Sequence, residues 1–193
     1  RHPQRVTEIV ILGVTTTRRS EIDWLYRGVA RFFPVEWERF RNGIPAAHRD
    51  GDLVEAYAHL MEEGDAEARS KAVAEWLAWE DAVISLEPKG MPKAYSSRPP
   101  IAQVAFVRIC AHYFSHGAWL EEGQLLREAG RLAGIPGVLI HGRLDMGSPI
   151  GTAWELARAW TDAQLIVVDD SGHTGSDTMR DEVRKAVDRF ARS

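Results

Sequence analysis

Two short stretches of this chain carry residues able to hold and move a proton. Gly137-Val138-Leu139-Ile140-His141-Gly142-Arg143-Leu144-Asp145 is an apolar run that stops at a turn bearing an acid. Asp170-Ser171-Gly172-His173 follows the run Gln164–Val168 and ends on a histidine. A run such as Val138–Ile140 reads as a buried strand of a parallel sheet. The carboxyl ends of such strands are where reactive side chains gather. A histidine serves a nucleophile as base when an acid fixes its tautomer and stabilises the imidazolium. Asp145 alone could be a turn residue, and His173 alone a loop histidine. Together, on successive strand ends, they predict a hydrogen-bonded pair across 28 positions of sequence.

An acid followed by a histidine is the back half of the order Ser…Asp…His of serine hydrolases on α/β sheets. The front half is absent. No Gly-x-Ser-x-Gly occurs, and the chain opens on Arg1. The expectation is a nucleophile on a preceding segment, the N-terminal half of the same protein. The strands Ile9–Val14 and Val138–Ile140 are apolar on both faces, so the chain by itself is expected to be inactive, with exposed sheet edges.

The elements that must position this pair follow from hydrophobic spacing. Glu8–Val14 reads as a strand. From Ser20 to about Arg131 the apolar spacing becomes three and four, which predicts helices over Glu21–Phe33, Pro34–Asn42, Asp52–Glu63, Asp65–Leu86, Ile101–His116 and Glu121–Leu132. Pro34 suits a first helical position, and Asp52 and Asp65 suit N-caps. Glu87–Pro100, with its prolines and Gly90, reads as a loop. Strand–helix alternation returns with Val138–His141, Pro149–Trp160, Gln164–Val168 and Thr178–Ala191, and implies a parallel sheet. Arg1–Thr7 reads as a helix end with Pro3 as terminator. The fold class is α/β, with a core from residues 1–19 and 132–193 and an inserted all-helical cap over 20–131.

Composition sets further bounds. The hydrophobic fraction is 45%, enough for a sizeable core, and the net charge is −4 with both signs interspersed. No basic stripe is present to hold phosphates, which argues against nucleic acid. The chain has one cysteine, Cys110, so no internal disulfide forms and a reducing, cytoplasmic setting is expected. No apolar run is long enough to span a membrane. The seven tryptophans predict large apolar surfaces between helices or around a pocket.

Other residues able to do chemistry divide between site and scaffold. On the helix Asp65–Leu86, the residues Val73, Trp76, Leu77, Glu80 and Ile84 share a face. A carboxylate on such a stripe needs a partner, either a basic side chain or a substrate ammonium. Cys110 lies within an apolar helix, where a thiol is inert as a nucleophile. His112 and His116, four apart, could chelate, but Tyr113 and Phe114 beside them suggest packing and no third ligand is evident. No metal and no cofactor are expected.

Several motifs together resemble the C-terminal half of the proline iminopeptidases (prolyl aminopeptidases). These are Phe33-Pro34-x-x-Trp37-Glu38, Trp76-x-x-Trp79-Glu80, His112-Tyr113-Phe114 with Gln124-Leu125-Leu126-Arg127, and His141-Gly142-Arg143-x-Asp145. Ala153-Trp154-Glu155-Leu156, Ala159-Trp160 and Ser171-Gly172-His173 complete the set. The resemblance spans essentially the whole chain. It implies an α/β-hydrolase core with a helical cap, Asp145 and His173 as catalytic residues, and Arg1–Val6 as the end of the helix after the nucleophile. It also implies Glu80, Cys110 and Tyr113 at substrate-binding positions, with Glu80 facing the substrate's ammonium.

The chain departs from that family at the specificity positions. Cys110 stands where the family carries a second glutamate. Leu12-Gly13-Val14-Thr15 stands for Arg-Gly-Ile-Phe, and Leu25 replaces an aromatic. Two readings follow. One is a serine hydrolase that cleaves an N-terminal proline or similar small residue, or an amide or ester hydrolase with altered specificity. The other is a truncated, catalytically inactive module. The retained Asp145 and His173 favour the first.

Overall fold

The computed structural model describes residues 2–192. In chain order the elements are β1 (Ile9–Leu12), α1 (Arg19–Tyr26), α2 (Pro34–Asn42), α3 (Leu53–Glu63), α4 (Ala66–Val83), α5 (Pro100–Ser115), α6 (Gln124–Arg127), β2 (Gly137–Gly142), α7 (Ile150–Ala159), β3 (Ala163–Val168) and α8 (Asp177–Phe190). Short 3-10 turns join several of them. The chain forms two compact units. One combines the residues up to Thr16, Leu86–Gly90 and the residues from Gly123 onward; the other combines Thr17–Ser85 with Met91–Glu122.

The first unit is built on a parallel sheet of order β1-β2-β3. Central β2 is buried along its whole length, which explains its apolar run without alternation. Its side chains still point alternately to two faces. Leu139 packs with Ala153, Leu156 and Trp160, toward α7. Val138 and Ile140 pack with Met179 and Ala186, toward α8. Gly137 admits the Trp160 indole so closely that a Cβ there would lie 2.3 Å from the ring. The indole N–H then donates to the Ile135 carbonyl at 3.0 Å.

The second unit is helical, and none of its described residues enters the sheet. Asp52 caps α3 by accepting from the Val54 and Glu55 amides, and Asp65 caps α4 by accepting from Ala68. Pro34 occupies the first turn of α2. The core is aromatic. Phe40 stacks on Tyr57 with centroids 4.6 Å apart, and Trp76 lies 4.9 Å from Tyr26 and 5.2 Å from Tyr57. The Trp37 and Trp79 indoles donate to the backbone carbonyls of Tyr26 and Leu25. These rings account for the tryptophan-rich middle of the chain.

Four sequence expectations need correction. Glu21–Phe33 is not one helix: α1 stops at Tyr26 and a 3-10 turn covers Gly28–Phe32. Glycine weakens a helix interior, and a Cβ at Gly28 would sit 2.9 Å from the Trp24 ring. Glu121–Leu132 is likewise split, because Gly123 takes a left-handed φ of 68° before α6, and Ala129–Leu132 is 3-10. The expected 20–131 boundary of the cap is displaced, since residues 123–131 and Leu86–Gly90 cluster with the sheet. Ala129 reaches the α7-side core with Leu139 and Trp160, which draws that turn to the sheet. Near the start, Pro3–Arg5 is a 3-10 turn, and Arg1 lies outside the described residues.

Candidate active site

Asp145 and His173 are brought together by backbone before side chains. β2 and β3 run in parallel register, so the turns that leave them emerge side by side. Gly142 ends β2 without a Cβ, and one placed there would lie 2.4 Å from the Ser171 carbonyl oxygen. That space lets the turns interlock. The Arg143 amide donates to Val168 at 3.0 Å and the Leu144 amide to Ser171 at 2.9 Å. The His173 Nδ1 then lies 3.1 Å from Asp145 Oδ2.

A carboxylate only accepts, so Nδ1 carries the proton and donates it to Asp145. The Asp145 side chain is only 2% exposed, while that of His173 is 42% exposed. Asp145 Oδ1 accepts from the Ser148 amide at 2.8 Å, which orients the carboxylate from the side opposite the imidazole. A buried acid that fixes a half-exposed histidine in one tautomer is the arrangement a general base requires.

His141 belongs to the frame of this site. It is fully buried. Its Nδ1 accepts from the Val14 amide at 3.1 Å, and its Nε2 faces the Ser148 carbonyl at 2.7 Å. Accepting on one nitrogen and donating on the other defines a neutral ring. His141 thus ties the end of β1 to the turn that carries Asp145. Arg143, its neighbour in the motif, forms an exposed ion pair with Asp169.

One carboxylate at the His173 turn was read only as part of a loop. Glu87 is buried and accepts from the backbone of His173 and Thr174. Its partners are backbone amides 86 and 87 positions away, and amides have no sequence signature. Gly90 and Gly172, which leave room for it, were the available trace: a Cβ at either would come within 2.7 Å of Glu87.

In the helical unit, Glu80 has the buried setting expected from its apolar stripe. One partner is a phenol: the Tyr26 hydroxyl donates to Glu80 Oε1 at 2.9 Å. Burial, and then the charge of Glu80, hold the Tyr26 hydroxyl protonated well above its ordinary range. Burial also pushes the Cys110 thiol up to about 12, with Glu80 adding to the effect and Arg98 opposing it. Glu80 and Cys110 therefore share one electrostatic environment. Tyr113 is half exposed, and its ring meets Trp119 edge-on at 5.2 Å.

His112 and His116 pack 4.9 Å apart, each also against Trp119. Among the described residues no group of three or more His, Cys, Asp or Glu is placed to hold a metal ion. Nor is any helix among them long and apolar enough to cross a membrane.

A parallel sheet with an acid and a histidine at the ends of adjacent strands defines the α/β-hydrolase class. Residues 106–193 match the family model described as TAP-like protein. The chain is 37% identical over 195 residues to a probable proline iminopeptidase of Streptomyces coelicolor, which covers 99% of this chain and 59% of that protein. It is 38% identical over 192 residues to a proline iminopeptidase of Xylella fastidiosa, covering 98% and 61%. It is 34% identical over 178 residues to one of Arabidopsis thaliana, covering 91% and 47%. The chain has the α/β-hydrolase fold class, and over nearly its whole length it is similar to proline iminopeptidases. It spans about three-fifths of the length of its bacterial relatives.

Proposed function

We propose that this chain supplies the acid and base of a serine hydrolase that releases an N-terminal proline, or a similar small residue, from a short peptide. The single observation that supports this most is the His173–Asp145 hydrogen bond of 3.1 Å between a buried acid and a half-exposed imidazole. The nucleophile is a serine on the N-terminal half of the natural protein. As its hydroxyl oxygen attacks the scissile carbonyl, His173 Nε2 takes the proton and Asp145 stabilises the imidazolium. His173 then protonates the leaving amine, and a water it activates hydrolyses the acyl-enzyme. No cofactor takes part. Glu80 pairs with the substrate's ammonium, a charge-assisted contact of about 1.5–3 kcal/mol. Cys110 and Tyr113 line the same subsite. The lone cysteine suits a reducing compartment such as the cytoplasm.

A specific observation favours a second reading of specificity. Cys110 stands at the position of a family glutamate and stays a neutral thiol, its pKa pushed up to about 12. With one amine-binding carboxylate in place of two, selection for a free N-terminus weakens by roughly one to two orders of magnitude. The substrate is then a larger or uncharged acyl group. The experiment compares proline arylamides, N-blocked amides and simple esters on the natural protein, with Cys110→Glu alongside. A preference for bare proline of about a hundredfold in kcat/KM that Cys110→Glu leaves unchanged supports plain iminopeptidase activity. A preference for blocked substrates that Cys110→Glu reverses supports the altered acyl site.

A further inference from the structure

The turn that carries His173 is held from beneath by one side chain. Glu87 Oε1 accepts from the His173 amide at 2.6 Å. Glu87 Oε2 accepts from the Thr174 amide at 3.0 Å and from the Thr174 hydroxyl at 2.7 Å. Glu87 as a residue is only 8% exposed. Both of its oxygens are thus committed to two successive residues of one turn.

The surroundings are shaped to admit it. A Cβ on Gly172 would lie 2.2 Å from the Glu87 carboxyl carbon, and one on Gly90 would lie 2.7 Å from Glu87 Oε2. The same short segment makes a second attachment: Lys89 Nζ pairs with Asp170 Oδ2 at 2.7 Å, three residues before His173. Leu86–Gly90 therefore grips the loop after β3 at two points.

We propose that Glu87 is a positioning residue for His173. Two carboxylates then fix this histidine at opposite ends, Asp145 at the ring and Glu87 at the backbone amide. Gripping the amides of residues 173 and 174 with one rigid carboxylate restricts the dihedrals between them. Those dihedrals set the direction in which the Cβ of His173, and with it the ring, leaves the chain. Glu87 does not touch the imidazole, and it takes no part in proton transfer. Its effect is on the fraction of time Nδ1 spends in line with Asp145 and Nε2 in line with the nucleophile. The assignment rests on the hydrolase reading above for its kinetic consequence, and on the geometry alone for its effect on the ring.

The test uses the natural full-length protein with Glu87→Ala, Glu87→Gln and Gly172→Ala, and with His173→Ala as reference. Glu87→Ala is expected to lower kcat roughly tenfold to a hundredfold, the range for a displaced catalytic group, with KM within about twofold. Glutamine keeps one acceptor but turns a donor toward the other amide, so Glu87→Gln falls between. Gly172→Ala, which displaces the carboxylate by its Cβ, should reproduce Glu87→Ala. The imidazole Nδ1 proton of His173, assigned by its loss in His173→Ala, should exchange faster with water in the same order. A folded Glu87→Ala or Glu87→Gln protein with wild-type kcat, or with an unperturbed Nδ1 proton signal, overturns the proposal even if its melting temperature drops. If His173→Ala hydrolyses as well as wild type, the hydrolase reading fails, and the Nδ1 proton still decides the role of Glu87.

Discussion

The Leu144 amide donates to the Ser171 carbonyl across 2.9 Å, so the turn carrying Asp145 is bonded to the turn carrying His173 through main chain alone. Gly142 makes that bond accessible, since a Cβ there would lie 2.4 Å from the same carbonyl oxygen. Gly142→Ala should therefore separate the turns. Overpacking of this kind destabilises by about 1–3 kcal/mol, read in urea unfolding. The accompanying loss in kcat should exceed what the small drop in folded fraction accounts for.

His141 joins β1 to the Asp145 turn through both ring nitrogens. His141→Phe keeps the ring volume and leaves the Val14 amide and the Ser148 carbonyl without this partner. Each buried group left unsatisfied costs about 1–3 kcal/mol. The expected loss is about 2–4 kcal/mol by denaturant titration. A variant as stable as wild type would mean that water satisfies both groups.

The expectation for Asp145 and His173 followed from chain order and strand ends, which are local signals. So did the caps at Asp52 and Asp65, each an acid directly before an apolar helical pattern. The role of Glu87 could not be read that way. Its three donors come from the other end of the chain, and two of them are backbone. The partners of His141, the Val14 amide and the Ser148 carbonyl, are backbone groups too and carry no sequence signal. Parallel pairing buries His141, and those two backbone groups satisfy its ring. The split of the two long helical stretches was marked by Gly28 and Gly123, but apolar spacing alone carried the pattern across them.

Cys110 should be chemically quiet. With the thiol pushed up to about 12 by burial and by Glu80, the thiolate at neutral pH is roughly a thousandth of that of an ordinary cysteine. Treatment with an alkylating reagent at pH 8, followed by intact mass measurement, should leave the folded protein unmodified over a time that consumes free cysteine. Rapid labelling without unfolding would contradict the electrostatic account of Glu80 and Cys110.

The Lys89–Asp170 pair predicts a defined acid dependence. The Lys89 ammonium, helped by the Thr178 and Ser176 hydroxyls, holds Asp170 down to about 2, from an ordinary 3.8. A carboxylate lowered on folding adds stability that is complete above the unfolded value and is lost as pH falls through the folded one. Asp170→Asn should therefore melt below wild type at neutral pH. The gap should narrow between about 4 and about 2 and close below that, because wild-type Asp170 is then also neutral. The gap at neutral pH should also shrink with added salt, since the pair is exposed to solvent.

The central claim is that Asp145 and His173 act together as the acid and base of hydrolysis. Its most direct measurement is kcat/KM for a proline arylamide with the natural full-length protein, beside His173→Gln and Asp145→Asn. The account predicts measurable hydrolysis by wild type, and a loss of about a thousandfold or more in each variant, with both variants folded by circular dichroism. Hydrolysis within tenfold of wild type in His173→Gln would contradict it.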